Sequence, residues 1–275
     1  MSINDISLTA GMRSNLVSLQ NTVSLLNRTQ ERLSSGKKVN SALDNPTAFF
    51  AAQALTGRAA DLSGLKDGMG QAIQTIKSAN NGISTISTLI DAAKGLAQTA
   101  LATTDTAALS SLQVQYDNLM VQIDTVVTDS NYVGTNLLDG VNSLTVNFNE
   151  DGTSSMTVTS IASKSADLGV TTTIDLADLT AGAASVNAAI VSLNEAKVQL
   201  RTTSAGLSAG LSVISARQDF TTQMVNTLTA GADNLTLADM NEEGANMLML
   251  QTRQSLGTTA LSLSAQAAQS VLKLF

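Results

Sequence analysis

The chain has no cysteine, no histidine and no tryptophan. Without thiols, neither disulfide nor thiolate chemistry is open to it, and the redox compartment places no constraint on it. The lack of histidine removes the commonest acid–base group and metal ligand, so an enzyme is a poor expectation and no metal or cofactor is anticipated. Aromatic residues make up only 3% of 275. A core must then be built from Ala, Leu, Ile and Val, which favours narrow helix–helix seams over a bulky globular centre. The 43% hydrophobic content still suffices for sizeable cores. Charged residues are scarce at 13%, and the net charge of −7 disfavours a nucleic-acid partner. Met1 to Ala10 carries one acid and no Lys or Arg, so no Sec-type leader is expected. The uncharged run Gln254–Leu272 is long enough to span a bilayer, but Ser, Thr and Gln recur all along it. That is too polar for a membrane helix, and no membrane insertion is expected.

What the chain does have is helical periodicity. Near the start, Met12, Leu16, Leu19, Val23, Leu26 and Leu33 fall on alternating three- and four-residue spacings, with Gln30 interrupting. Near the finish, Leu256, Ala260, Leu263, Ala267, Val271 and Leu274 line one helical face. Such seams are thin and need a packing partner to stay folded. Residues 1–43 carry five basic and two acidic side chains, net +3, and residues 233–275 two basic and four acidic, net −2. The two ends therefore attract weakly, although exposed ion pairs contribute only ~0–1 kcal/mol each. Ends of this kind imply a protein that assembles.

The interior is helical too. Asn45-Pro46 reads as an N-cap and first helical position. From there Leu55, Leu62, Met69, Ile76, Ile83, Ile90 and Ala97 repeat every seven residues, with a companion row from Arg58 through Leu65, Ala72, Ala79, Ile86 and Ala93 to Ala100. So sustained a heptad implies a left-handed supercoil. Gly57, Gly64, Gly68, Gly70, Gly82 and Gly95 either weaken this helix or admit close backbone approach by a neighbour. A second helix is expected from about Ala107 to Asp129, on the seam Leu109, Leu112, Tyr116, Leu119, Ile123 and Val126. The short loop Thr103–Asp105 makes it antiparallel to the first. A third spans about Ala183 to Thr229, with polar interruptions at Lys197, Ser204, Gln218 and Thr221. Between Val141 and Thr180 the period changes to two. Leu144, Val146 and Phe148, then Met156 and Val158, flank Asn149–Gly152, which reads as a β-hairpin. The Thr-, Ser- and Asp-rich remainder reads as surface loop. The fold class is thus mainly α: a long antiparallel helical bundle with a small β-hairpin excursion and helical terminal arms that pair.

Motifs with chemistry are few. Glu242-Glu243 suggests paired carboxylates, but adjacent helical residues diverge by about 100° and do not converge on one site. Gly68-Met69-Gly70 follows no strand and lies on the heptad seam, so it is no phosphate loop. The nine Met residues suit helix seams. Arg58 either specifies register from a seam position or snorkels outward, the second being favoured.

Glu31 to Leu55, ERLSSGKKVNSALDNPTAFFAAQAL, resembles the N-terminal signature of bacterial flagellin, and Ala238 to Phe275 resembles its C-terminal signature. The likeness covers roughly residues 1–140 and 183–275. It implies an N-terminal D0 polymerisation helix (1–43), the N-terminal part of D1 with its spoke and two long helices (44–140), a short variable hairpin segment (141–182), a C-terminal D1 helix (183–232) and a C-terminal D0 helix (233–275). The segment between the D1 parts is too short for a large outer domain. The function implied is that of a structural subunit polymerising into the flagellar filament for swimming motility. Its terminal arms would be largely disordered in the monomer and fold on assembly. The assembly interface is expected at Met12, Leu16, Leu19, Val23, Leu26, Leu33, Leu256, Leu263, Val271 and Leu274.

Partners implied by the resemblance are the protein itself and other flagellins, an export chaperone on residues 233–275, the filament cap and hook-associated proteins, and the flagellar type III export apparatus. Export as an unfolded chain suits a sequence with no Cys and one Pro, and the destination is the extracellular filament. Rival readings are a hook–filament junction protein, which shares both signatures, and a chemoreceptor-type coiled-coil signalling domain, which would lack the β-excursion. Receptor-stimulating flagellins carry a motif resembling Gln-Arg-Val-Arg-Glu-Leu-Ala-Val-Gln on the long D1 helix, with a Glu on the returning helix. Here the aligned stretch is Asp91 to Thr99, the key Arg position is Ala92, and the Glu position is Gln115. This implies escape from the animal Toll-like receptor that senses flagellin.

Overall fold

A computed structural model describes residues 10–170 and 179–272, with backbone alone at 179–182 and 271–272. The order of elements is α1 (Ala10–Ser35), α2 (Pro46–Ala102), α3 (Thr106–Asp129), β1 (Asn131–Tyr132), β2 (Thr135–Asn136), β3 (Leu144–Asn147), β4 (Ser155–Val158), α4 (Leu179–Thr236) and α5 (Met240–Leu272). The chain divides into two compact units. One comprises the chain up to Gly57 together with Thr227 onward, and the other runs from Arg58 to Asn226.

Local signals start the helices where expected. Asn45 Oδ1 accepts the Ala48 N–H at 3.1 Å ahead of Pro46, and Asp105 Oδ1 accepts the Ala107 N–H at 3.1 Å to open α3. Each satisfies one of the orphan donors of a first turn. α4 begins four residues before the expected Ala183 and continues seven past Thr229.

The Arg58–Asn226 unit holds the main core. Met69, Ile76, Ile83, Ile90 and Ala97 of α2 are buried with the row Ala72 to Ala100, as the heptad predicts. The exception is the head of the companion row. Arg58 is exposed, in keeping with its outward reading, and Ala59 is buried in its place. The Arg58 guanidinium lies outside, with Nε 2.9 Å from Glu150 Oε1 at the hairpin turn. Facing residues come from α3 (Leu109, Tyr116, Ile123) and α4 (Val186, Leu193, Leu200, Ile214). Burial pushes the Tyr116 phenol up to about 12. The polar interruptions of α4 each have a place. Lys197 points outward to Asp91, Ser204 Oγ donates to Asn80 Oδ1 at 3.0 Å, and Gln218 Nε2 donates to the Lys66 carbonyl at 3.4 Å. Thr221 is itself buried.

The hairpin forms as read, with β3 antiparallel to β4 in the register Leu144↔Val158 to Asn147↔Ser155. Val146 and Val158 turn into the core, and the Arg217 guanidinium stacks 5.3 Å from the Phe148 ring centroid. The segment after it is not the surface loop expected. Leu168 and Val170 are buried in the core, and Ser163 and Ser165 are buried with them. The Ile161 and Ser163 N–H groups donate to the carbonyls of Leu137 and Leu138, and the Ser165 N–H donates to Asp124 Oδ1 at 2.8 Å. Paired backbone groups let a Ser/Thr-rich stretch be buried at no hydrogen-bond loss. The rest of that stretch, residues 171–178, lies outside the described residues.

Candidate assembly surface

In the other unit α1 and α5 lie side by side. Two contacts fix their sense. Arg32 Nη1 lies 2.9 Å from Glu243 Oε1, and a Cβ on Gly257 would lie 3.1 Å from Leu19 Cδ1. As numbers rise along one helix they fall along the other, so the pair is antiparallel. α1 ends on Gly36 at φ +72°, whose N–H donates to the Arg32 carbonyl at 2.8 Å. The chain there crosses the start of α5 through the Lys37↔Leu237 bridge, and the Ala238 N–H donates to the Gly36 carbonyl at 3.0 Å. Backbone hydrogen bonds from Ser41 and Asn40 hold the Asp44 carboxyl below its usual range and close the turn before α2.

The α1 seam is the one expected: Met12 is buried, and Leu16, Leu19, Val23, Leu26 and Leu33 are half-buried. Its interruption is absent, because the buried Thr29 occupies the slot and Gln30 points to solvent. On α5 the intramolecular seam differs from the expected stripe. Glu243, Met247, Leu250, Gln254, Gly257, Leu261, Ser264 and Ala268 are covered, again alternating fours and threes, with Gly244, Asn246 and Ala265 half-covered at the flank. Leu256 and Leu263 point away, 65% and 61% exposed. Val271 lies in α5 with only its backbone described, and Leu274 lies outside the described residues. The covered seam takes Met247, Leu250 and Leu261 and leaves Leu256 and Leu263 on the opposite face. At Gly257 the fit is one of size, with Leu19 of α1 packed against the missing side chain. The row Glu243, Leu250, Gly257, Ser264 repeats every seven residues and was a signal that a search for large apolar residues passes over. Leu248 and Met249 extend the exposed apolar face of α5.

Ala92 and Gln115 are both exposed on the Arg58–Asn226 unit, on α2 and α3. Gln115 Nε2 donates to Ser111 Oγ at 3.3 Å. Lys94, beside Ala92, is engaged by Asn194 Oδ1 at 2.8 Å. Among the described residues no group of three or more acidic side chains is placed to hold a metal ion. No described helix is long and apolar enough to cross a membrane.

A family model of the bacterial flagellin N-terminal helical region matches residues 3–143. Flagellin FljK of Caulobacter vibrioides is 33% identical over 282 residues, the whole length of both chains. The chain belongs to the bacterial flagellin family. Flagellin FljO of the same organism is 32% identical, again over the full length of both, and the flagellin of Brucella melitensis is 27% identical over 94% of this chain and 95% of its own. As a flagellin it is a structural subunit of the extracellular flagellar filament, assembling with itself and other flagellins. Neither the junction-protein nor the signalling-domain reading is favoured by these relatives.

Proposed function

We propose that this flagellin assembles by folding its two arms into one two-sided element. One side of α5 pairs with α1, and the other, through Leu256 and Leu263, packs on neighbouring subunits as the innermost layer of the filament. In the sequence, Val271 and Leu274 fall on the spacing that extends the stripe. The observation that carries the reading is the pair of large leucines, Leu256 and Leu263, left exposed on α5 while Met247, Leu250 and Leu261 are covered. The arms' joint seam is thin: within α1 and α5 only Met12 and Leu250 are buried apolar residues among those described. So little burial stabilises two long helices weakly, and intersubunit contacts complete their folding. A fully buried leucine contributes ~1.5–3 kcal/mol. Replacing Leu256 and Leu263 together by Ser is therefore expected to raise the critical concentration for polymerisation tenfold or more while leaving the monomer's circular dichroism unchanged. Electron microscopy and sedimentation read the polymerisation, and a spectrum of the monomer reads its helicity. Filaments forming at the wild-type concentration would overturn the assignment of this face.

The remaining partners follow from the same arms. The chain is secreted through the flagellar type III apparatus, and meets hook-associated and cap proteins at the filament's ends. Before export the apolar face of residues 233–275 is an aggregation hazard, and a chaperone covers it by taking the segment as helices in grooves. Pull-down with a chain lacking residues 233–275 tests the placement. A chaperone that still bound would sink it.

A further inference from the structure

The turn between β1 and β2 carries an unusual backbone. Val133 and Gly134 join the two strands with φ of 47° and 80°, both in the left-handed region that a type I′ hairpin turn requires. Gly134 fits there freely, but Val133 does not. A β-branched residue at positive φ is a steric outlier, and it is the only non-glycine one among the described residues. Asn is the residue that relaxes this position. Such strain persists where a function offsets it, and the described residues leave the Val133 side chain 82% exposed, with no packing to offset it. The turn nevertheless holds it firmly. Tyr132 Oη donates to Gln71 Oε1 at 3.0 Å, and Asn131 Oδ1 accepts the Gly134 N–H at 2.9 Å.

At the foot of the turn lies a groove of about 460 Å³ between α2 and β3. Leu65, Ala72, Leu144 and Val146 supply its apolar lining. Gly64 and Gly68 keep its wall low, since a Cβ on either would meet nothing within 4 Å. Gln71, Thr75, Thr145 and Asn147 add polar groups, and among the described residues no charged side chain lines it. On a chain of net charge −7, a charge-free, mainly apolar patch is where two like-charged copies approach at least cost.

We propose that Val133 and this groove form a contact between neighbouring subunits of the filament, the occupant being a second copy of this flagellin. The proposal rests on self-assembly as described above. Because the chain has no cysteine, Val133→Cys in the full-length protein places a single thiol at the turn. Doped in small amount into wild-type filaments, that thiol is expected to react with maleimide at least tenfold more slowly than in the monomer. In parallel, Val133→Asn is expected to melt at a higher temperature as a monomer, its turn relaxed, yet to need a severalfold higher concentration to polymerise. A structural role alone would move both in the same direction. Equal thiol reactivity in filament and monomer, or an Asn variant that polymerises as readily as wild type, overturns the contact and leaves the filament reading intact. Failure of the wild-type chain to polymerise overturns self-assembly itself, and the contact with it.

Discussion

A Cβ at Gly82 would lie 2.2 Å from Ser130 Oγ and 2.9 Å from Leu138 Cδ1. Neither neighbour yields easily. Ser130 Oγ donates to the Val126 carbonyl at 2.6 Å, and Leu138 is fully buried. Gly95 sits on the same helix with nothing within 4 Å of an added Cβ. Gly82→Ala should therefore lower the stability of the bundle by ~1–3 kcal/mol through overpacking. Gly95→Ala should raise it by up to ~1 kcal/mol through helix propensity. Urea unfolding of the two variants checks this, and a Gly82 variant as stable as the Gly95 one would refute it. The sequence shows six glycines on or beside one heptad and offers two explanations for all of them. It cannot separate Gly82 from the rest, because the colliding atoms come from a loop about fifty residues downstream. Thr29 and Gln30 pose the same problem on a smaller scale: the hydrophobicity of neither decides which faces α5, and the partner helix settles it.

α2 was legible almost residue by residue because its heptad runs unbroken and buried from Met69 to Ala100. The α5 face was not, since two leucine stripes compete for it, Leu250 and Leu261 against Leu256 and Leu263, and hydrophobicity does not choose between them. The buried run through Leu168 and Val170 was missed for a different reason: its composition is polar and its burial depends on backbone pairing with distant residues. The exposed face of α2 and α3 supports a prediction about a host. The family resemblance implies an Arg in receptor-stimulating flagellins at the position of Ala92 and a Glu at that of Gln115, and the prediction rests on that alignment. Lys94, the nearest cation to Ala92 in sequence, is drawn to Asn194, and Asp91 beside it pairs with Lys197. Loss of an Arg anchor commonly costs ~2 kcal/mol or more at an interface, and the missing carboxylate removes a charge-assisted hydrogen bond. Together they are expected to weaken the Toll-like receptor contact by about 100-fold or more. A reporter-cell assay with purified monomer decides it: potency equal to that of a stimulating flagellin would defeat the idea.

Across the whole molecule, burial is divided unequally between its two units. Every member of the main hydrophobic core lies between Met69 and Ile214, inside the Arg58–Asn226 unit. The unit that holds the arms relies on half-buried leucines, the Arg32–Glu243 pair and a few backbone bonds at the crossing near Gly36. An exposed or half-exposed ion pair adds little stability by itself, though Glu243, itself buried, pins the register of α5 on α1. Deleting residues 1–30 or residues 246–275 removes none of the main core, so either truncated chain should remain soluble and helical and unfold cooperatively. Neither should form filaments, because each loses one half of the arm pair and thereby the element that neighbours pack against. Circular dichroism with thermal melting reads the first expectation, and electron microscopy of seeded samples reads the second. Filaments of normal diameter from either truncation would mean that one arm suffices, and the two-sided role of α5 would fall. A collapse of the helical signal would mean instead that the arms hold up the bundle, against the unequal division of burial from which the prediction starts.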